Sequence, residues 1–201
     1  AVPANVPINN PGGDAANAGQ AEESMAIVGQ FGVCAWNDGQ GFVVGPNVQG
    51  IGYTTNGGAS WTDAGTPPLS PSTGGTIIAW TSDPVVVVNE KTNEFWYCGL
   101  VNGAGSTNGI AAVKVTFPGG VFTFDTVRVI RLLPNASNFI DKQWYAADSS
   151  NGMLYASYTN FFVGGELQWG RRQNFNDGST YDDVRFQFSA KYTFSQRLGG
   201  Q

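Results

Sequence analysis

The chain has 201 residues, of which 12% are charged and 13% are aromatic, and its net charge at neutral pH is −5. Its ten lysines and arginines are scattered, whereas phosphate binding requires clustered basic residues, which argues against nucleic acid as a partner. The chain contains no histidine, which excludes Ser-His-Asp and Cys-His catalysis and the commonest zinc ligand.

The composition also bears on where the protein works. No segment approaches 18 consecutive apolar residues, so the sequence predicts no membrane span. The chain begins at Ala1, and AVPANVP resembles the start of a mature exported protein, although trimming of a longer chain would give the same start. Low charge and many Asn, Gly, Ser and Thr residues agree with export, and we expect a secreted or extracellular protein.

The N-terminal 22 residues are predicted to form an extended segment. The only helix candidate is a weak Ala-rich stretch from Asp14 to Glu23, which Gly19 interrupts. The 28 glycines and the low charge favour an all-β fold in which many short strands are joined by tight turns.

A repeat organises the rest of the chain. Three similar segments lie at residues 23–39, 83–103 and 141–161. Each opens on an acidic residue, continues as an apolar strand, turns at polar residues and returns as a second apolar strand. Cys34, Cys98 and Ala156 correspond in the second strands, and their separations of 64 and 58 residues indicate a period of about 60.

Each repeat carries further strand signals. The stretches GIGYTT, GIAAVKVTF and GELQWGRRQ predict a third strand, which a Gly-rich turn and an aromatic residue follow. Four-stranded antiparallel units are typical of the blades of a β-propeller, and an ordinary β-sandwich is the alternative. The threefold recurrence favours a propeller, with blades at residues 23–82, 83–140 and 141–183.

The last segment, residues 184–201, is predicted to be an amphipathic strand and a tail. Apolar and polar residues alternate from Val184 to Phe194. This strand either completes a blade or forms an edge that pairs with another chain.

The turn TTNGGASW, from Thr54 to Trp61, resembles the Asp-box of sialidase-like β-propellers, and FNDGSTY, from Phe175 to Tyr181, is a weaker copy. In that family the motif stabilises the turn between the third and fourth strands, on the face away from the ligand. The resemblance thus implies a structural role for seven residues: Asn56, Gly58, Ser60, Trp61, Asp177, Gly178 and Tyr181.

The resemblance also implies a six-bladed ring, so three blades would be half of one. A longer chain that is trimmed or partly represented, a deliberate fragment, and two chains that pair into a ring are the alternatives. Half-propellers leave open faces and strand edges, which favour self-association or docking on another protein.

In the family, ligand-facing residues come from the start of each first strand. The resemblance therefore implies a mouth formed by Glu23, Asp83, Asp141 and Lys142. Carboxylates at this mouth are suited to Ca²⁺ or to a polyhydroxylated sugar. The alternative is that they hydrogen-bond neighbouring loops and that the protein has no cofactor.

A sialidase-like active site would require an arginine triad, a Tyr–Glu pair and an Asp. The family's Arg-Ile-Pro signature is absent, and no arginine lies at the start of a first strand. We therefore expect a non-catalytic module that binds glycan or protein, or a subunit of an extracellular assembly. The alternative is a fragment of an exo-sialidase-like glycoside hydrolase.

Two residue types are assigned to packing. Tryptophans recur near the strands, at positions 36, 80, 96, 144 and 169, and packing between blades is favoured over stacking on sugar rings. Cys34 and Cys98 fall on adjacent blades, where corresponding positions lie too far apart for a disulfide. We expect two buried free thiols.

Overall fold

The computed structural model describes residues 4–69, 75–136 and 138–161, together with the backbone of three later strands at 166–173, 180–187 and 190–194. The described chain is all-β and its strands pair antiparallel. Helix is confined to α1 (Gly41–Val44) and to two 3₁₀ turns, Pro11–Gly13 and Pro118–Gly120. None of these helices is long or apolar enough to span a lipid bilayer.

The first four strands form sheet one in chain order: β1 (Gln20–Val28), β2 (Phe31–Asp38), β3 (Gln49–Thr54) and β4 (Thr62–Asp63). The weak helix candidate from Asp14 to Glu23 is not helical, because β1 begins at Gln20 and Asn17 adopts a left-handed conformation with φ 70°. The Ala-rich composition is outweighed by the pairing of Gln20 with Asp38 on β2.

The next four strands form sheet two, again in chain order: β5 (Ile77–Asn89), β6 (Glu94–Gly103), β7 (Thr107–Thr116) and β8 (Thr123–Pro134). Two of the predicted third strands therefore lie where the sequence places them, as β3 and β7. Strand β5 begins ahead of residue 83 because Ile77 already pairs with Gly103.

Sheet three contains β9 (Phe139–Asp148), β10 (Met153–Phe161) and β13 (Ala190–Phe194), with β10 in the middle. Strands β11 (Glu166–Gln173) and β12 (Thr180–Gln187) form a separate hairpin. The predicted third strand of this repeat, GELQWGRRQ, thus pairs with β12 and not with β10. The alternation from Val184 to Phe194 is divided between β12 and β13, because a period of two specifies a strand but not its partner.

The three sheets stack through two cores that alternate along the strands. We call the face of a sheet that packs on the next sheet its leading face, and the opposite face its trailing face. The first core joins the leading face of sheet one to the trailing face of sheet two, and includes Val33, Ala35, Ile51, Phe95 and Tyr97. The second core joins the leading face of sheet two to the trailing face of sheet three, and includes Trp96, Cys98, Ile110, Tyr145 and Leu154.

The alternation follows from strand geometry, because successive side chains point to opposite faces of a sheet. Phe95 and Tyr97 of β6 face sheet one, whereas Trp96 and Cys98 face sheet three. Sheet two is therefore covered on both faces, and its middle strands, β6 and β7, are apolar and buried over consecutive residues.

The predicted buried free thiols are confirmed. Burial, with a smaller effect of the Glu23 charge, raises the pKa of the Cys34 thiol to about 11. Burial also raises the pKa of Cys98 well above its usual range. Both thiols are therefore uncharged at neutral pH and poor nucleophiles.

Candidate functional site

The first strand of each sheet carries a β-bulge at a corresponding position, and each bulge has one residue in the left-handed region. These residues are Glu22 with φ 56°, Asp83 with φ 55° and Lys142 with φ 52°. Positive φ is uncommon for residues other than glycine, and a non-glycine residue there costs of order 1 kcal/mol or more. Strained positions of this kind cluster at functional sites.

The bulges fix the correspondence between repeats. In each first strand, the residue two positions after the left-handed one pairs with the neighbouring strand. Its partners in sheets one, two and three are Ala35, Cys98 and Ser157. Cys34 and Cys98 are therefore not equivalent, although the repeats in the sequence predict that they are. Cys98 corresponds to Ala35. The two residues differ by one position, which places them on opposite faces of their sheets.

The same correction applies to the predicted mouth. The residues that correspond in the structure are Glu22, Asp83 and Lys142, whereas the sequence comparison aligned Glu23, Asp83 and Asp141. Glu22 could be found only by aligning the repeats on their bulges, and a bulge leaves no residue signature in this sequence.

The first strands converge on an open cleft of about 390 Å³, which runs past all three bulges. Of the predicted mouth residues, Glu23, Asp83 and Lys142 line it. Asp141 is not among the lining residues, but its carboxylate lies 3.7 Å from Lys142 Nζ. The remaining lining residues are Glu22, Ser24, Pro84, Val85, Gln143 and Trp144.

A pair of carboxyl groups forms the centre of the cleft. The carboxyl groups of Glu22 and Asp83 lie side by side, and they can share a hydrogen bond when one of them holds a proton. This bond and the charge of Asp83 raise the pKa of Glu22 above its ordinary value of 4.5. The Asn37 amide, which donates to Glu22 Oε2, and the Lys142 charge act in the opposite direction.

Backbone groups at the bulges are held by side chains from adjacent sheets. The Asp83 N–H donates to Asn37 Oδ1 at 2.9 Å, and Gln143 Nε2 donates to the Asp83 carbonyl. These contacts tie all three sheets together at the cleft, so the bulge of sheet two is fixed from both sides.

The predicted Asp-box turn lies between β3 and β4, at the end of sheet one opposite the cleft. Asn56 Oδ1 accepts from the Thr54 hydroxyl at 2.9 Å and from the Ser60 N–H at 2.9 Å, and Asn56 Nδ2 donates to Ser60 Oγ at 2.8 Å. Gly58 has φ 86°, and Trp61 packs near Gly32. The turn is closed by its own side chains, and a structural role for these residues stays a prediction.

The second copy of that turn falls mostly outside the described residues, which include neither Asp177 nor Gly178. Tyr181 belongs to β12, of which the backbone is described. Among the tryptophans, residues 36, 80 and 96 are buried, whereas Trp144 is 68% exposed at the cleft. Trp80 and Trp96 lie in the two cores between sheets, as predicted, whereas Trp36 packs near Gly50 on the trailing face of sheet one and Trp144 is not packed.

The described side chains include no group of three His, Cys, Asp or Glu residues arranged to hold a metal ion. Calcium binding at the mouth stays a prediction.

Comparisons with known proteins give limited information. No protein-family model and no curated protein match the chain. Among solved structures, an exo-beta-1,3-galactanase from Phanerochaete chrysosporium, crystallised with beta-1,3-galactotriose, is similar with a TM-score of 0.41 and 11% identity. The match covers 95% of this chain and 52% of the galactanase, so the chain spans about half of that protein.

The carboxyl pair predicts a pH dependence. Because the folded-state pKa of Glu22 is raised, its contribution to stability is greatest below the unfolded value of 4.5 and is lost as the pH rises through the folded value. Glu22→Gln should remove this dependence and stabilise the protein at pH 7. Since Glu22 is exposed and screened by solvent, the gain should be below about 1 kcal/mol.

Urea unfolding of the wild type and Glu22→Gln at pH 4 and pH 7 measures the effect. Glu90→Gln, an exposed acid in the turn between β5 and β6, is the matched control and should follow the wild type at both pH values. An equal pH dependence in the wild type and Glu22→Gln would contradict the carboxyl pair.

Proposed function

We propose that the chain is a partial β-propeller of the Asp-box, sialidase-like kind, and that its cleft binds a neutral glycan without catalysis. Two antiparallel four-stranded sheets and a three-stranded third sheet stack face to face, with first strands that converge at one end, and this arrangement supports the propeller. The low-charge composition supports an extracellular location.

The observation that carries the ligand assignment is the convergence of Glu22, Glu23, Asp83 and Lys142 on one open cleft. Ligand sites typically combine an apolar lining with a few convergent polar groups. Carboxylates accept hydrogen bonds from hydroxyl groups, and the Lys142 ammonium donates to hydroxyl or ring oxygens. A polyhydroxylated sugar supplies both kinds of partner.

The charge of the cleft selects among sugars. Three carboxyl groups line it against one ammonium group, so a ligand carboxylate would be repelled more strongly than it is attracted. This balance favours neutral glycans over sialylated ones.

The spacing of the carboxyl pair favours binding over hydrolysis. Glycoside hydrolases hold their two catalytic carboxyl groups about 5 Å apart or more. Glu22 and Asp83 lie close enough to share a hydrogen bond, which is closer than that separation.

A glycan array followed by calorimetry tests the proposal. We expect binding of at least one neutral glycan, weakened about tenfold or more by Asp83→Asn or Lys142→Ala, since each removes a charge-assisted hydrogen bond. Glu90→Gln should bind like the wild type. Lack of binding to any neutral glycan would refute the proposal.

The hydrolase alternative has a different outcome. Turnover of a fluorogenic sialoside by the chain, abolished by Asp83→Asn, would replace the binding module with a glycoside hydrolase fragment.

A further inference from the structure

The stacking of the sheets leaves one face without a partner sheet at each end. Sheet one presents a leading face to sheet two, and sheet two presents a leading face to sheet three. Among the described residues, nothing of this kind covers the leading face of sheet three or the full trailing face of sheet one.

The leading face of sheet three is apolar and exposed. Trp144 is 68% exposed, Phe139 54%, and Tyr155 and Phe161 42% each. All four lie on the side of the sheet opposite Tyr145 and Leu154, which are buried in the second core. Large exposed apolar patches on soluble proteins mark interaction sites.

The trailing face of sheet one is covered only in part. The N-terminal segment lies over it at Ile8, near Cys34 and Trp36. Along β1, Met25 is 46% exposed and Ile27 is 45% exposed. These two residues correspond to the positions on β5 that face sheet one.

The bulge register shows what the leading face of sheet three is built to contact. Ser24, Val85 and Trp144 are equivalent, and so are Met25, Val86 and Tyr145. Between sheets one and two, Ser24 Oγ accepts from the Val86 N–H at 2.9 Å. Between sheets two and three, Val85 and Tyr145 share the second core. If a further sheet packed on the leading face of sheet three in the same register, Trp144 would contact the residue of that sheet that is equivalent to Met25.

The charged residues at the bulges follow the same correspondence between sheets. Gln143 of sheet three reaches the bulge residue of sheet two, where its amide donates to the Asp83 carbonyl. Glu23 is equivalent to Gln143, and Lys142 is equivalent to Asp83. A trailing face like that of sheet one would therefore bring a carboxylate to Lys142, whose side chain is 72% exposed.

We propose that two copies of this chain pair head to tail, with the leading face of sheet three in each copy packed on the trailing face of sheet one in the other. The chain itself carries both complementary surfaces. Two such contacts close under twofold symmetry and give a ring of twice three sheets, within the usual range for propellers. The inference rests on sheet packing, and three residues of the contact, Glu23, Lys142 and Trp144, also line the cleft.

Sedimentation velocity across a concentration series tests the pairing. The wild type should reach twice its mass of 21.3 kDa. Trp144→Glu and Met25→Glu should each remain monomeric, because each places a charge in both contacts. Val121→Glu, on an exposed apolar residue between β7 and β8, is the matched control and should remain dimeric. A wild type that stays monomeric at all concentrations would overturn the proposal.

Disulfide trapping tests the head-to-tail geometry. Met25→Cys combined with Trp144→Cys should give a covalent dimer on oxidation, whereas each single variant should not. Because Cys34 pairs directly with Met25 across β1 and β2, both the single and the double variants are made in a Cys34→Ala background, whereas Cys98 is fully buried. A covalent dimer from Trp144→Cys alone would show a face-to-face contact and would overturn the head-to-tail arrangement. Met25 lies outside the cleft, so glycan binding by monomeric Met25→Glu separates the two proposals.

Discussion

Replacing Trp80 with alanine should destabilise the protein by about 4 kcal/mol, the largest effect that we expect from one side chain. Trp80 is fully buried in the first core, and its ring meets Tyr97 edge to face at 5.5 Å and 89°. Its Nε1 donates to the Pro68 carbonyl at 3.0 Å. Alanine leaves a cavity and an unpaired carbonyl, and neither sheet can collapse into the space.

Thermal and urea unfolding measure this loss, which corresponds to a decrease of about 10 °C in melting temperature for a chain of this size. Trp144→Ala is the matched control, because Trp144 is exposed, and its effect on the monomer should stay within about 0.5 kcal/mol. Equal effects of the two substitutions would show that Trp80 does not hold sheets one and two together.

Replacing Gln49 with leucine should cost about 3 kcal/mol, although it exchanges a polar side chain for an apolar one of similar size. Gln49 is fully buried, and its Nε2 donates to the carbonyls of Ser82 and Leu100. Its Oε1 accepts from the Tyr97 hydroxyl at 2.7 Å. Leucine would leave these groups buried without a hydrogen-bond partner. The free-energy cost of that loss exceeds the free energy gained from burying an apolar side chain.

A double-mutant cycle with Tyr97→Phe isolates the bond between the two side chains. The Tyr97→Phe variant alone leaves Gln49 Oε1 unpaired, so the double variant should be less destabilised than the sum of the single variants by about 1 kcal/mol. Additive effects in urea unfolding would contradict a direct bond between Gln49 and Tyr97.

The sequence predicts the sheets better than the site. Apolar runs, turn residues and the recurring order of elements indicate β1 to β8 and both strands of the hairpin that opens sheet three. An alternation with a period of two does not specify which strands pair with each other, so the sequence does not predict the pairing of β13 with β10. Gln49 gave no signal, since a lone Gln between strand residues has no pattern that marks it as buried.

The candidate site shows the same limit at the scale of one residue. The repeat of acidic residues leads to the neighbourhood of the bulge in each first strand, and three of the four residues of the predicted mouth line the cleft. The alignment missed Glu22 because equivalence depends on the backbone at the bulge. A left-handed residue can be Glu, Asp or Lys, and none of these types signals that conformation.

The shared bulge register also constrains how such a chain can change over generations. Adding or deleting one whole repeat conserves the match between a leading and a trailing face, because each repeat carries one face of each kind. Inserting a single residue between Glu22 and Met25 would move Met25 to the position that Ala26 now occupies and so turn it to the other face of β1. Length changes should therefore be tolerated in steps of a complete sheet or within the turns, but not inside the first strands.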